Sequence, residues 1–230
     1  MVKRFVALAL LLALGGIFAT LLLGYTPDTE LNTSARYYAE HTARDIGAAN
    51  LVTAIIVTYR GLDTLGEVTV LFLSAAILGL VLARDRQRVA RTRPPVGELL
   101  ASGSRVLVPL IMLLGVHVFV NGHLTPGGGF QGGAIIASGV LLLLLANPAK
   151  RFSHAVIARV EALAGVFYVG LGLLGLVLAG GFLDNRFLPI GSLGALFSAG
   201  AIPLIYSLIG LKVGAEFASM LSHLSEAEEA

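Results

Sequence analysis

Apolar runs of similar length, separated by short charged stretches, constrain this chain more than any other feature. From Phe5 to Gly24, and again from Val68 to Ala83, no residue carries a charge. A bilayer core demands about 20 apolar residues for each helical span. On that measure spans are expected near 5–24, 46–60, 64–83, 104–122, 130–146, 157–180 and 192–211. The expected fold is all-α, a polytopic integral membrane protein with about seven transmembrane helices. Hydrophobic residues make up 56% of the 230, and charged residues 13%, a balance unlike that of a soluble domain. Little chain is left for an extramembrane domain, so any chemistry must take place among helices.

Positive charge sets the expected orientation. Arg84, Arg86, Arg88, Arg91, Arg93 and Arg105 stand against Asp85 and Glu98, and Lys150, Arg151 and Arg159 form a second group. The positive-inside rule puts both groups on the cytoplasmic side. Seven spans satisfy this but leave Lys3 and Arg4 outside, and the N-terminus is read as the exception in preference to residues 46–83 crossing fewer than two times. The first run also mimics a secretory signal; it is long, and no small-residue cleavage pattern follows Leu23, so a retained span is expected. Pro94-Pro95 cannot continue a helix. Residues 91–103 therefore read as a linker between modules at 1–90 and 104–215, with an acidic tail at 216–230.

The chain has no cysteine, which excludes disulfides, iron–sulfur ligation and cysteine-rich zinc sites. No basic face suited to nucleic acid is visible, and no cofactor is expected. No serine–histidine–acid set or pair of carboxylates in a cleft stands out, so the chain by itself is not expected to be an enzyme.

Two stretches break the apolar pattern. Thr58 to Val70 reads T-Y-R-G-L-D-T-L-G-E-V-T-V and sets Arg60, Asp63 and Glu67 between apolar runs. Ionisable residues at membrane depth are costly and functional by default, and residues three or four apart share a helix face. A carboxylate there can bind sodium or carry a proton, with the arginine adjusting its preference. The competing reading is a capping box, with Thr64 as N-cap and Glu67 reaching back from the third helical position. Asn121 to Gly133 reads N-G-H-L-T-P-G-G-G-F-Q-G-G. Pro126 ends the preceding helix, because Thr125 before it avoids the helical region. Gly127, Gly128, Gly129, Gly132 and Gly133 then suit a tight turn with closely packed helices, or a re-entrant bend lining a cavity. No lysine followed by serine or threonine comes after them and no strand precedes, so this is not a phosphate-cradling loop.

At these two stretches the chain resembles a known family. The first looks like the C-terminal part of the large A subunit of Mrp-type sodium/proton antiporters and like the small E subunit of membrane-bound hydrogenases. The second, G-H-L-T-P-G-G-G-F-Q-G-G-A, looks like the hallmark of the MnhB or MrpB subunit and of its hydrogenase counterpart, the F subunit. The resemblance covers residues 1 to about 90 as one module and about 100 to 215 as the other. It implies a multi-pass subunit in a prokaryotic inner membrane, partnered by other antiporter-type or hydrogenase-type membrane subunits and by lipid, with Na+ and H+ as the transported ions. It equally fits the membrane arm of a hydrogenase or related respiratory complex; a scaffold without ion contact is the third reading.

On this view Asp63, Glu67 and His123 touch a hydrated path, with Arg60 beside them. His117, one turn before Asn121, and His123 can serve a proton relay because imidazole titrates near working pH, although a lone helical histidine is more often a packing residue. Glu161 beside Arg159, and Lys212 four residues before Glu216, read as interfacial ion pairs of little energetic value. Asp184 and Arg186 occupy a short exposed loop. His41, His154 and His223 lie in polar segments without the spacing of a metal site.

Overall fold

The computed structural model describes residues 2–26, 29–84 and 96–227. The arginine-rich stretch from Arg86 to Arg93, the Pro94-Pro95 pair, and Glu228 and Glu229 lie outside the described residues. Among the described residues eight α-helices follow in order: α1 Val2–Gly24, α2 Thr33–His41, α3 Leu51–Thr53, α4 Gly61–Arg84, α5 Glu98–Val120, α6 Gly129–Ala146, α7 His154–Ala179 and α8 Ile202–Ala227. The all-helical class holds. Six of the described helices, α1 and α4 to α8, are long and apolar enough to cross a membrane.

Residues 1–37 and 38–230 form separate compact units. In the first, α1 is apolar from Phe5 on and exposed from Lys3 to Gly24, which suits a helix whose surroundings are lipid or other protein. In the second, α8 is the central helix, packed against α4, α5, α6 and α7, and α5 pairs with α6. Its Ile202, Ile205, Tyr206, Ile209 and Val213 are fully buried, and Tyr168 of α7 joins them in the core.

Two stretches differ from the sequence expectation. Residues 46–60 contribute no helix of crossing length: they comprise a break at 47–50, the single turn α3, and a wide π-helical turn at Ala54–Tyr59. Asn50 starts α3 by accepting from the amides of Val52 and Thr53 at 3.1 and 3.3 Å, the cap expected of an asparagine. Residues 192–201 form turns, and α8 runs on to Ala227, so the stretch expected as an acidic tail is helical as far as it is described. Gly180 closes α7 with φ 86°, the left-handed conformation that glycine supplies at a helix C-terminus.

Candidate functional site

The charged trio meets at one pocket. The π-helical turn ends where the Arg60 amide reaches back five residues to the Ile55 carbonyl at 2.7 Å, an arrangement often found at functional sites. Arg60 and Asp63 form an exposed ion pair at 2.5 Å. Together with Thr64, Glu67, Ile55 and Ile56 they line a pocket of about 360 Å³. The capping box does not form. Thr64 is buried inside α4, and its hydroxyl donates to the Ile56 carbonyl at 2.5 Å. That bond ties α4 to the π-helical turn and leaves the exposed Glu67 nearly two turns into the helix, on the pocket wall. Tyr168 of α7 is buried, and its hydroxyl has no hydrogen-bond partner among the described residues.

The glycine motif packs helices. A Cβ on Gly129 would stand 2.6 Å from Ile209 Cβ, and one on Gly133 would stand 2.8 Å from Val213 Cβ and 2.9 Å from the Gly210 carbonyl. A Cβ on Gly132 would meet the Gly115 carbonyl at 2.6 Å. Glycines thus let α6 approach α8 on one face and α5 on the other, the small-residue packing of membrane helices. Gly127, just after Pro126, adopts φ 140°, which side chains rarely tolerate. Tyr206 lies against Gly122 and Gly128 and donates to Thr53 Oγ1 at 3.1 Å.

The loops at this end interlock. Asn50 Nδ2 donates to the carbonyls of Gly122 and Thr125, both at 2.9 Å; Asn185 Nδ2, fully buried, donates to those of Ile46 and Ala199 at 2.9 Å. His123 is wholly buried among them, its Nε2 3.4 Å from the Ala195 carbonyl. Burial holds its pKa below the ordinary value, against bonds to backbone that pull the other way. His117 is exposed on α5 and bonded to Asn121 at 3.2 Å. Neither histidine is among the residues lining the Arg60–Glu67 pocket. Asp184, expected to be exposed, is buried, and it accepts from the Arg186 guanidinium and amide. Burial pushes its pKa up, but those bonds outweigh it and hold it below the usual value.

A third group corrects the expectation of surface pairs. Lys212 Nζ lies 2.7 Å from Glu216 Oε1 on α8 and 3.8 Å from Glu161 Oε1 on α7, with side chains 12%, 0% and 15% exposed. The ammonium also sits 5.0 Å from the centre of the Phe72 ring of α4, a cation–π contact. Arg159 instead donates to its own helix at the Ala155 carbonyl. Lys212 stands ten residues into α8, deep in the span. Two acids and one base therefore share a largely buried site whose formal charge is −1 when both acids are ionised. The sequence signal was present, a lysine and a glutamate in one long apolar helix, but the expected span boundary at 211 set them outside it.

Known proteins share this architecture. The sequence pattern of the domain related to the MnhB subunit of Na+/H+ antiporter matches residues 99–219, and that of the MBH E subunit matches residues 2–96. An uncharacterised protein of Methanocaldococcus jannaschii is 30% identical over 192 residues, which cover 71% of this chain and 72% of that one. A chain in the structure of the membrane-bound sulfane sulfur reductase, an archaeal respiratory membrane complex, is 42% identical with a TM-score of 0.83, over 97% of this chain and 98% of that one. A chain of the Mrp complex from Dietzia sp. is 27% identical with a TM-score of 0.79 over 98% of this chain, which spans only 26% of that one.

Proposed function

Because the chain belongs to the family of domains related to the MnhB subunit of Na+/H+ antiporter, we propose that it is a membrane-arm subunit of a respiratory complex and that α4, α7 and α8 carry a route for protons or a monovalent cation. It is a multi-pass membrane subunit of the kind found in prokaryotic Mrp and membrane-bound respiratory complexes. The preference for a respiratory complex over a free-standing antiporter is supported by near-complete mutual coverage with the sulfane sulfur reductase chain. Redox chemistry would belong to other subunits.

The observation that carries the transport reading is the buried Glu161–Lys212–Glu216 group. An uncompensated charge deep in a membrane protein is costly. A proton on either carboxylate, or a monovalent cation beside both, brings the group to neutrality. Lys212 remains paired with one acid while the other exchanges its proton or ion. The Arg60, Asp63 and Glu67 pocket has the same net charge and serves as the mouth, with Glu67 its inner carboxylate. His123 packs the loops above, and His117 has no observation in its favour.

The test is the complex that copurifies with the tagged chain, reconstituted in vesicles, with Glu216→Gln and Glu67→Gln variants. Both should assemble and lose ion movement. Unchanged ion movement in assembled Glu216→Gln would leave only a scaffold. Copurified redox subunits fit the respiratory complex, whereas antiporter subunits alone favour the Mrp reading, which the MnhB match keeps in play.

A further inference from the structure

At the opposite end of the bundle from the glycine loop, α7 begins and α8 ends, and three side chains separated widely in sequence come together there. His154 Nε2 lies 2.6 Å from Glu226 Oε1. The His223 ring stacks on that of His154, with centres 4.7 Å apart and planes inclined by 21°. One ligand atom from each of His154, His223 and Glu226 falls within 4.8 Å of the others, and all three residues are half-buried. We propose that these three residues bind a divalent transition metal of the Zn2+ class, entering from the cytoplasmic side.

Two imidazoles and one carboxylate form the His2Glu donor set of an open zinc site, which leaves a fourth position for water. With bonds of about 2.0–2.2 Å, a tetrahedral ion needs donor atoms roughly 3.3 Å apart. The His154–Glu226 pair, now 2.6 Å apart, must open by less than an ångström, and the His223 ring, whose donor lies within 4.8 Å of the others, must move in by up to about 1.5 Å, which side-chain rotation accomplishes. On α8, His223 and Glu226 are three apart and so share a face. Ser222 Oγ, 3.3 Å from Glu226 Oε1, holds the carboxylate in place, as outer-shell partners do. Gly79 of α4 leaves room for the His223 ring, since a Cβ there would stand 3.3 Å from Nε2. Lys150 and Arg151 precede His154 and mark this end as cytoplasmic by the positive-inside rule.

The test uses the full chain in detergent, stripped with a chelator and titrated with Zn2+ by calorimetry and with Co2+ by visible absorption. One site per chain is expected, with the intense Co2+ bands of a four-coordinate ion. His223→Ala and Glu226→Gln should each weaken Zn2+ binding by at least about a hundredfold, since outer-shell changes alone cost ten- to hundredfold. His41→Ala should bind as the parent does. A weak octahedral Co2+ spectrum in the parent chain overturns the proposal without reference to any variant. Equal Zn2+ affinity in the parent and in folded His154→Ala/His223→Ala also overturns it.

Discussion

Lys212→Met separates a buried ionic group from a surface pair. In the parent, Lys212 Nζ is 2.7 Å from Glu216 Oε1 and 3.8 Å from Glu161 Oε1, and the Glu216 side chain is 0% exposed. Removing the ammonium leaves two neighbouring carboxylates with no cation. Breaking a buried pair in this way costs about 3–5 kcal/mol, whereas an exposed pair is worth about 0–1 kcal/mol. Replacing Glu216 with glutamine as well removes the fully buried one of the two stranded charges and leaves the part-exposed Glu161, so Lys212→Met/Glu216→Gln should recover most of the loss. The coupling between the two positions should reach about 2–3 kcal/mol, at the upper end for interacting residues. The assay is a double-mutant cycle on the detergent-solubilised chain, with unfolding followed by circular dichroism. A Lys212→Met loss below about 1 kcal/mol would place the pair with surface pairs and refute the buried group. A double variant as unstable as Lys212→Met would refute the stranded-charge explanation.

Three further outcomes follow from the same structure. Gly133→Ala should destabilise the bundle by about 1–3 kcal/mol, the usual cost of overpacking, because its Cβ meets the α8 backbone at 2.9 Å; Gly66→Ala, with nothing within 4 Å, is the control and should be neutral or stabilising in the same melts. His123 is held below its ordinary pKa of 6.5 by burial, so the unfolded chain takes up the proton first. Its contribution is intact above pH 6.5 and is lost as pH falls through and below that value, and His123→Gln should remove this part of the pH dependence of the melting temperature. One crossing-length helix, α6 Gly129–Ala146, separates Thr125 from Lys150. Thr125→Cys and Lys150→Cys, in a chain with no native cysteine, should therefore react with impermeant reagents from opposite sides.

Hydropathy made the helices legible wherever an apolar run was also a helix, as in α1 and α4 to α7. It failed where apolar residues serve another purpose. Residues 46–60 are apolar because they plug the loop end, where Ala48, Ala54 and Val57 are fully or almost fully buried, and their polar groups are satisfied across the fold, as Asn50 is at Gly122 and Thr125. Residues 192–201 are apolar yet turn, with Ala199 at φ 61°. Pro203, near the start of α8, was the available signal, since proline is favoured in the first turn of a helix, though a weak one in a membrane chain, where Pro109 stands inside α5. Starting the span there moves Lys212 and Glu216 from the end of a helix to its middle. The helix-spaced trio of Arg60, Asp63 and Glu67 was legible, and so were the glycines. The Glu161–Lys212 and His154–Glu226 contacts join α7 to α8, and no local pattern encodes a contact between helices.

The placement of the charged groups limits what this chain does alone. His154, Glu161 and Tyr168 recur every seven residues on α7, and Glu216 and His223 are seven apart on α8, so each set lies along one helix face. Seven residues rise about 10.5 Å, whereas a hydrogen bond spans about 2.7–3.2 Å. A proton cannot pass directly from one such group to the next. On the proposed route the Glu161–Lys212–Glu216 group is one station, and water or a neighbouring subunit must bridge the intervals to the Glu67 pocket on one side and to the histidines on the other. Val166, Phe167 and Leu174 on α7 are exposed, so this helix has an apolar face free to receive such a neighbour. Transport activity should accordingly appear in the assembled complex and be absent from vesicles containing this chain alone.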